Sequence, residues 1–210
     1  TGVQTCALPI SLGMTFKAGM TPGGAGGSAN ASSHSVNGDV NGEMTQYAVT
    51  MAPIDGLTLA ASYYDFGDMG NADGRQSAEG GSYSAKYSLG QFSIGYGETL
   101  HAPAQRMTST SAGSAVTQHY ENDAFSTGFV VNDSLSVSYT EENSEKKNKA
   151  KAAAGNTATR TDVEMEITTI DASYTMGGAT IGISNSEMSN DSYTAGDDTT
   201  ETIVALSLAF

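Results

Sequence analysis

Hydrophobic residues alternate with small polar residues along most of the chain. From Ser11 onward the repeat is two residues rather than 3.6, which predicts strands and not helices. In the last segment, for example, Val204, Leu206, Leu208 and Phe210 share one parity, and alanines and a serine share the other. The alternation predicts about ten strands, at 12–16, 47–51, 57–63, 83–89, 92–96, 125–131, 135–139, 170–176, 179–183 and 204–210.

The connections between these strands alternate in length. Short turns are predicted at 53–56, 89–91, 132–134 and 176–178. Long polar segments rich in Gly, Asn, Asp and Ser are predicted at 19–42, 65–81, 98–118, 141–161 and 185–200. This regular sorting is typical of an antiparallel up-and-down meander with a short-turn end and a long-loop end. A sandwich with Greek-key connections would not sort its loops in this way.

Aromatic residues lie near both ends of the apolar parity. Those near the long-loop end are Phe16, Tyr63, Tyr96 and Tyr139, and those near the short-turn end are Phe92, Phe129, Tyr174 and Phe210. Two aromatic belts around an apolar band are typical of strands that cross a bilayer, because these rings favour its two interfaces. The pattern therefore predicts an all-β fold, a transmembrane antiparallel β-barrel. The alternative is that the rings form the core of a soluble sandwich.

The opposite parity carries small polar side chains, which would line the interior of a closed barrel. Side chains of this kind do not fill a dry core, so we expect a water-filled lumen. Closure also removes the unpaired strand edges that hydrocarbon cannot satisfy. Lys86 and Asp171 stand on this parity. An ionisable group within a membrane is costly unless it faces water, so we predict that both line the pore and bias which solutes pass.

Composition excludes several other classes of protein. Of the 210 residues, 38% are hydrophobic and 15% charged, and no apolar run approaches the roughly 18–20 residues of a transmembrane helix. The net charge of −14 argues against nucleic acid as a partner. The basic residues cluster in one stretch that we predict to be a solvated loop, with anionic lipid head groups as a less favoured target: Lys146, Lys147, Lys149, Lys151 and Arg160.

The sequence gives no catalytic or cofactor signature. His34, His101 and His119 stand without Cys or acidic partners at ligand spacing, and no GxSxG, HExxH or P-loop spacing occurs. We therefore predict no enzyme activity, no metal and no cofactor. The stretch from Asp68 to Gly74 has a faint similarity to a calcium loop without its closing glutamate. We interpret it as an acidic loop tip, with divalent ions bridging it to lipopolysaccharide as the alternative.

The segments DASYTMGGATIGIS and IVALSLAF resemble the C-terminal portion of a Gram-negative general porin. The resemblance covers residues 11–210, and its terminal signature is the specific part. It implies a channel of the cell outer membrane for passive diffusion of small hydrophilic solutes and ions. It also implies a homotrimer, contacts with outer-membrane lipids and lipopolysaccharide, and insertion by the barrel-assembly machinery. In the family that machinery reads the final strand, here Leu206, Leu208 and Phe210.

The first ten residues, TGVQTCALPI, need a separate explanation. They are similar to the conceptual translation of a sequencing-adapter oligonucleotide, so we predict that residues 1–10 are an artefact and that residues 11–210 are the porin portion. Family members have barrels of roughly 16–18 strands, so about ten strands imply that an N-terminal portion is missing. A barrel complete in ten strands is the alternative.

Two other functional classes stay open at this point. The translocator barrel of an autotransporter also ends on an aromatic strand. A secreted β-rich adhesin or binding module would keep the strands and exchange lipid for solvent on the apolar parity.

Overall fold

The computed structural model describes residues 4–10, 13–21, 43–67, 75–106, 115–150 and 162–208, and these residues form antiparallel β-structure. Eleven strands make one sheet in the order β1-β2-β3-β4-β6-β7-β9-β10-β11-β12-β13, and β5 and β8 form a separate pair. The strands are β1 Gln4–Ile10, β2 Met14–Thr21, β3 Met44–Met51, β4 Leu57–Phe66, β5 Arg75–Gln76, β6 Glu79–Leu89, β7 Phe92–Ala102, β8 Gln105–Arg106, β9 Ala115–Asn132, β10 Leu135–Ala150, β11 Val163–Met176, β12 Ala179–Ser189 and β13 Thr199–Leu208.

The ten strands expected from the alternation are all present, and they follow one another in the sheet as an up-and-down meander. The all-β, antiparallel prediction is therefore confirmed. A three-residue 3-10 helix, Asp191–Tyr193, lies between β12 and β13. None of the helical structure in the described ranges is long and apolar enough to cross a membrane.

The eleventh strand of the sheet comes from residues that we predicted to be an artefact. The backbone of Gln4–Ile10 pairs with β2, from Gln4 opposite Met20 to Ile10 opposite Met14. The pairing shows the conformation of these residues and does not show where their sequence comes from. Their origin as an artefact therefore stays a prediction. Over the described residues, β1 pairs only with β2 and β13 pairs only with β12, which leaves one edge at each end of the sheet.

All five predicted loops are wrong in part, because strands continue into them: β2 runs to Thr21, β4 to Phe66 and β12 to Ser189, and the extensions are largest at 98–118 and 141–161. β7 runs to Ala102, β9 begins at Ala115 and β10 continues to Ala150. Polar pairs replace the apolar alternation there: Asn143 donates to Asp123 over 3.2 Å, and Lys147 forms an ion pair with Glu145 at 2.5 Å. Lys146, Lys147 and Lys149 therefore lie in a strand and not in a solvated loop, whereas Lys151 and Arg160 lie outside the described residues.

The cross-strand register places the hydrophobic parity of every strand on the same side of the sheet. Directly opposite residues share a face. The pairs that show this include Phe16 with Val49, Leu59 with Ala85, Ile94 with Thr127, Val137 with Ala172, and Ile181 with Leu206. We call this side the apolar face. The side that carries Lys86 and Asp171 is the polar face.

The sheet is a single layer in the part of the chain that the structure describes, and its apolar face is uncovered. Leu206 is 63% exposed, Ile170 57% and Phe92 62%. Among the residues whose burial is described, the buried hydrophobic ones are Ala78, Ala102 and Val116. A sheet of this kind gains little from an internal core, so its apolar face needs another apolar medium or partner to cover it.

Two strand glycines allow a test of how closely the strands pack. A Cβ at Gly80 would lie 2.7 Å from the Leu100 carbonyl oxygen and 2.7 Å from the Tyr64 hydroxyl, whereas a Cβ at Gly182 would meet no atom within 4 Å. We expect Gly80→Ala to lower the free energy of unfolding by about 1–3 kcal/mol, because the Leu100 backbone must move. The matched Gly182→Ala should be neutral or slightly stabilising. Unfolding in detergent measures both, and equal effects would contradict the packing described for Gly80.

Candidate functional site

Small hydroxyl side chains are frequent on the polar face, and several of them hydrogen-bond to one another across the strands. Ser62 and Ser82 lie 2.7 Å apart, Thr169 and Ser186 2.9 Å apart, and Thr175 and Thr180 also 2.9 Å apart, in each case between the two hydroxyl oxygens. Because these side chains are short, they project little from the backbone of the sheet. Hydroxyls can also exchange hydrogen bonds with water. The face therefore suits contact with an aqueous phase.

Lys86 and Asp171 both lie on the polar face, but the structure does not bring them together. Lys86 is on β6, exposed, between Thr58 of β4 and Gly95 of β7. Asp171 is on β11, and it accepts a hydrogen bond of 3.3 Å from the Ser138 hydroxyl. Three strands, β7, β9 and β10, separate them. Their predicted role in selecting solutes stays a prediction.

Asp171 stands in a shallow depression of about 240 Å³ on the polar face. Serines line part of the depression, among them Ser136, Ser173 and Ser184. Asp171 is partly exposed there, and the Ser138 hydroxyl supplies it with a hydrogen-bond donor.

Further charged residues of the polar face were not singled out from the sequence. These charged residues can be assigned to the polar face from their parity, once the strands are given the bounds that the structure shows. Among the described strand residues, the charged side chains on this face are Lys17, Lys86, Lys146, Glu142, Asp171 and Glu201. The lysines and the carboxylates balance. The net charge of the chain is therefore a poor guide to the charge of this face.

Most strand carboxylates lie instead on the apolar face, at its long-loop end. The register places there Asp65, Glu79, Glu98, Glu121, Asp123, Glu141, Glu145, Glu164, Glu166 and Glu187. Some lie directly opposite one another, such as Glu145 between Glu121 and Glu164. Lys147 partly offsets this charge through an ion pair of 2.5 Å with Glu145, and His119 hydrogen-bonds to Glu121 over 2.9 Å. This acidic border marks where the apolar band of the face ends.

The seven described residues of the predicted aromatic belts all lie on the apolar face; Phe210 lies outside the described residues. Phe92 and Phe129 stack on neighbouring strands, with ring centroids 4.5 Å apart. The Tyr96 hydroxyl donates to Glu98 over 2.5 Å, and the Tyr139 hydroxyl donates to Glu141 over 2.8 Å. These tyrosines therefore keep their rings on the apolar band and turn their hydroxyls toward the acidic border, as interfacial tyrosines do.

Four further rings among the described residues share this face and were not predicted to belong to a belt; one of them, Tyr87, lies opposite Leu57 and Ile94. Tyr47 stacks on Phe16 at 6.3 Å, and Tyr83 and Phe125 lie opposite Glu98 and Tyr96. Their parity was visible in the sequence, but their height along the strands depends on the register. The position of both belts at membrane interfaces stays a prediction.

A larger depression, of about 890 Å³, lies mainly on the apolar face. Tyr63, Tyr83 and Tyr96 border it, and Gly81 leaves the strand surface bare between them. Since this depression opens to the side that carries the exposed hydrophobic residues, it does not belong to the polar surface that we predict to line a pore.

The predicted assembly signal lies on β13. Leu206 and Leu208 are exposed on the apolar face, opposite Ile181 and Ala179 of β12. Phe210 lies outside the described residues. β13 has a free edge over its described length, which is the geometry needed for another strand to pair with it. Its recognition by an assembly machine stays a prediction.

No group of three or more described His, Cys, Asp or Glu residues is arranged to hold a metal ion. His101 hydrogen-bonds to Tyr64, and His119 pairs with Glu121, an acidic partner that the sequence analysis did not expect. His34 and the stretch 68–74, where calcium was the alternative, lie outside the described residues.

No protein-family model matches this chain, and no curated protein matches it. A solved structure does: the OmpF of Salmonella typhi, solved in complex with daunomycin, superposes with a TM-score of 0.61 at 17% sequence identity. The match covers 92% of this chain and 57% of the OmpF chain, so this chain spans less than two thirds of that porin's length. At this identity the likeness shows the fold: the sheet is similar to part of a porin barrel.

The balance of charge on the polar face generates a prediction about ion selectivity. Lys86→Glu should shift the reversal potential of a channel formed by this protein toward cation selectivity, and Asp171→Asn should shift it toward anion selectivity, because each changes the charge next to passing ions. Glu187→Gln is the matched control, since Glu187 is exposed on the apolar face. Reversal potentials in a salt gradient measure all three. Unchanged selectivity in both Lys86 and Asp171 variants would contradict their position in a lumen.

Proposed function

We propose that these strands form part of the wall of an outer-membrane pore, through which small hydrophilic solutes and ions diffuse passively. The observation that carries the proposal is the pairing of two unlike faces in one layer of sheet. Exposed Leu, Ile, Val, Tyr and Phe predominate on one face, whereas Ser, Thr, Gly, Ala and a few balanced charges predominate on the other, where the exposed Ile203 is an exception. Lipid would cover the hydrophobic side chains of the first face, and water would hydrate the polar side chains of the second.

The backbone supports the same proposal. Lipid-exposed strands are stable only when their N–H and C=O groups are paired, which a continuous antiparallel ladder achieves. Each inner strand of the sheet is paired on both sides, and the similarity to part of a porin barrel supplies a way to pair the two edges. A sandwich would require a second layer over the apolar face.

The proposed mechanism contains no chemical step. A solute entering the lumen loses part of its hydration, and the serine and threonine hydroxyls of the polar face replace those hydrogen bonds. Because each bond is weak and exchangeable, the solute is not retained. Pore width and the few lining charges, Lys86 and Asp171 among them, then select between solutes. No cofactor or metal is needed for this process.

The proposed location and partners follow from the porin likeness and from the two faces. In the cell outer membrane, the apolar face would contact lipids, and the acidic border at the long-loop end would lie at the level of lipopolysaccharide head groups. The barrel-assembly machinery would insert the chain through β13, and the full-length protein would form a homotrimer. Each of these partners is part of the proposal.

Conductance tests the proposal directly. The full-length protein, purified in detergent and added to a planar lipid bilayer, should produce discrete conductance steps. Liposomes that contain it should swell in small sugars and not in large oligosaccharides, because the pore is wide enough only for small solutes.

Other outcomes would favour the other classes of protein. A protein that stays soluble without detergent and does not enter bilayers would be an adhesin or binding module, and the pore would be wrong. A protein that conducts but carries a secreted passenger domain in its full reading frame would be a translocator barrel. A passive general pore would then be wrong as well.

A further inference from the structure

The loop between β12 and β13, residues 190–198, folds over the polar face. Its first residue, Asn190, donates through its side-chain amide to the Glu164 carbonyl of β11 over 2.8 Å. Tyr193 reaches further, because its hydroxyl lies 2.6 Å from the Ser144 hydroxyl of β10. Its ring lies 5.4 Å from that of Tyr120 on β9. The loop thus crosses β11 and β10 to contact β9, at the long-loop end of the sheet.

All three strand residues that Tyr193 contacts belong to the polar parity. Tyr120, Ser144 and Lys146 lie on the same side of the sheet as Lys86 and Asp171, as the register of β9 and β10 shows. The Lys146 ammonium lies 5.7 Å from the centre of the Tyr193 ring, within the range of a cation–π interaction. Tyr193 is therefore held by a ring, a hydroxyl and a cation together.

The loop has a defined conformation of its own. Asn190, Ser192 and Tyr193 have positive φ angles of 54°, 55° and 58°, which residues other than glycine adopt rarely. Internal hydrogen bonds hold this conformation: the Asp191 amide donates to the Asp197 carbonyl over 2.6 Å, and Thr199 donates to the Asp191 carboxylate over 3.1 Å. Non-glycine residues in this region occur mostly where the surrounding structure imposes them, often at functional sites.

The ring of Tyr193 ends a row of aromatic groups on the polar face. Tyr120 stacks on His101 at 6.3 Å with an angle of 12°, and His101 contacts Tyr64 at 6.2 Å. Gly80, between Tyr64 and His101 in the sheet, leaves the space in which these two side chains meet. The row places Tyr193 at the end of a continuous series of ring contacts that reaches from β9 to β4.

We infer that the 190–198 loop, anchored by Tyr193, narrows the entrance of the pore at its long-loop end. This inference rests on the proposed function, since only in a pore does the polar face enclose a lumen. A folded loop that covers part of the pore lining reduces the cross-section that is open to solutes. The contacts of Tyr193 fix the position of the loop and therefore the size of this reduction. Tyr193 is accordingly a residue that determines the size of solutes admitted, although no motif in the sequence marks it.

The test compares channels formed by the wild type and by Tyr193→Ala in planar bilayers. The variant should show a higher single-channel conductance and admit larger sugars in liposome swelling, because the loop loses its anchor and can leave the polar face. Tyr193→Phe keeps the ring over Tyr120 and Lys146 and should stay close to wild type. Tyr83→Ala is the matched control, since Tyr83 lies on the apolar face.

Hydrogen exchange over residues 190–198 supplies a readout that does not depend on conductance. Tyr193→Ala and Tyr120→Ala should each speed exchange in this segment, and the double variant should be no faster than Tyr193→Ala, because that variant already removes the contact with Tyr120. A wild type that conducts while Tyr193→Ala has the same conductance and size limit would overturn the inference and leave the pore intact. A wild type that does not conduct would overturn the pore and the inference together.

Discussion

In every pair of neighbouring strands of the main sheet, residues of the apolar face lie opposite each other, and so do residues of the polar face. The exceptions are local shifts between β9 and β10. A slip of one residue in any pair would move hydrophobic side chains to the polar face and serines to the apolar face. The aromatic belts, the acidic border and the positions of Lys86 and Asp171 all depend on this register. So does the absence of a conventional core from the described sheet, because each face is completed by its surroundings and not by a second layer.

The same register separates the charge of the protein from the charge of its polar face. The chain as a whole is strongly acidic, with a net charge of −14. Most of its strand carboxylates lie on the apolar face, between the tyrosines and the long-loop end. The described strands of the polar face carry equal numbers of lysines and carboxylates. A selectivity for cations therefore does not follow from the overall composition. Single lining residues should matter more than the total charge, because each is a large fraction of the charge that a passing ion meets.

The parts of the fold that repeat every two residues could be predicted from the sequence, and the parts that depend on polar pairing could not. Alternation predicted strands at 57–63 and 179–183, because their hydrophobic residues are regularly spaced, although β4 continues to Phe66 and β12 to Ser189. It failed beyond Tyr139 and before Phe125, where Asn143, Asp123 and their neighbours continue the ladder by side-chain hydrogen bonds. From its polar composition alone, such a segment is predicted to be a loop.

The candidate site divides in the same way. Lys86 and Asp171 could be placed on the polar face from parity, since both stand in regular strands. Tyr193 could not, because it lies in an irregular loop and its contacts, Tyr120 and Ser144, are 49 or more residues away in the chain. Its position depends on the positive φ angles of the loop and on strand extensions that the alternation did not reveal. Long-range contacts of this kind leave no periodic signal.

The central claim is that one face of the sheet meets lipid and the other meets water, and fluorescence quenching tests it most directly. A fluorophore is attached to a single cysteine at Ile183 or at Ser184, neighbours on β12 that face opposite ways, in a Cys6→Ser background. With the protein in bilayers, the label at position 183 should be quenched by brominated lipid and the label at 184 by aqueous iodide. Equal quenching of both labels by iodide, with none by brominated lipid, would contradict the account.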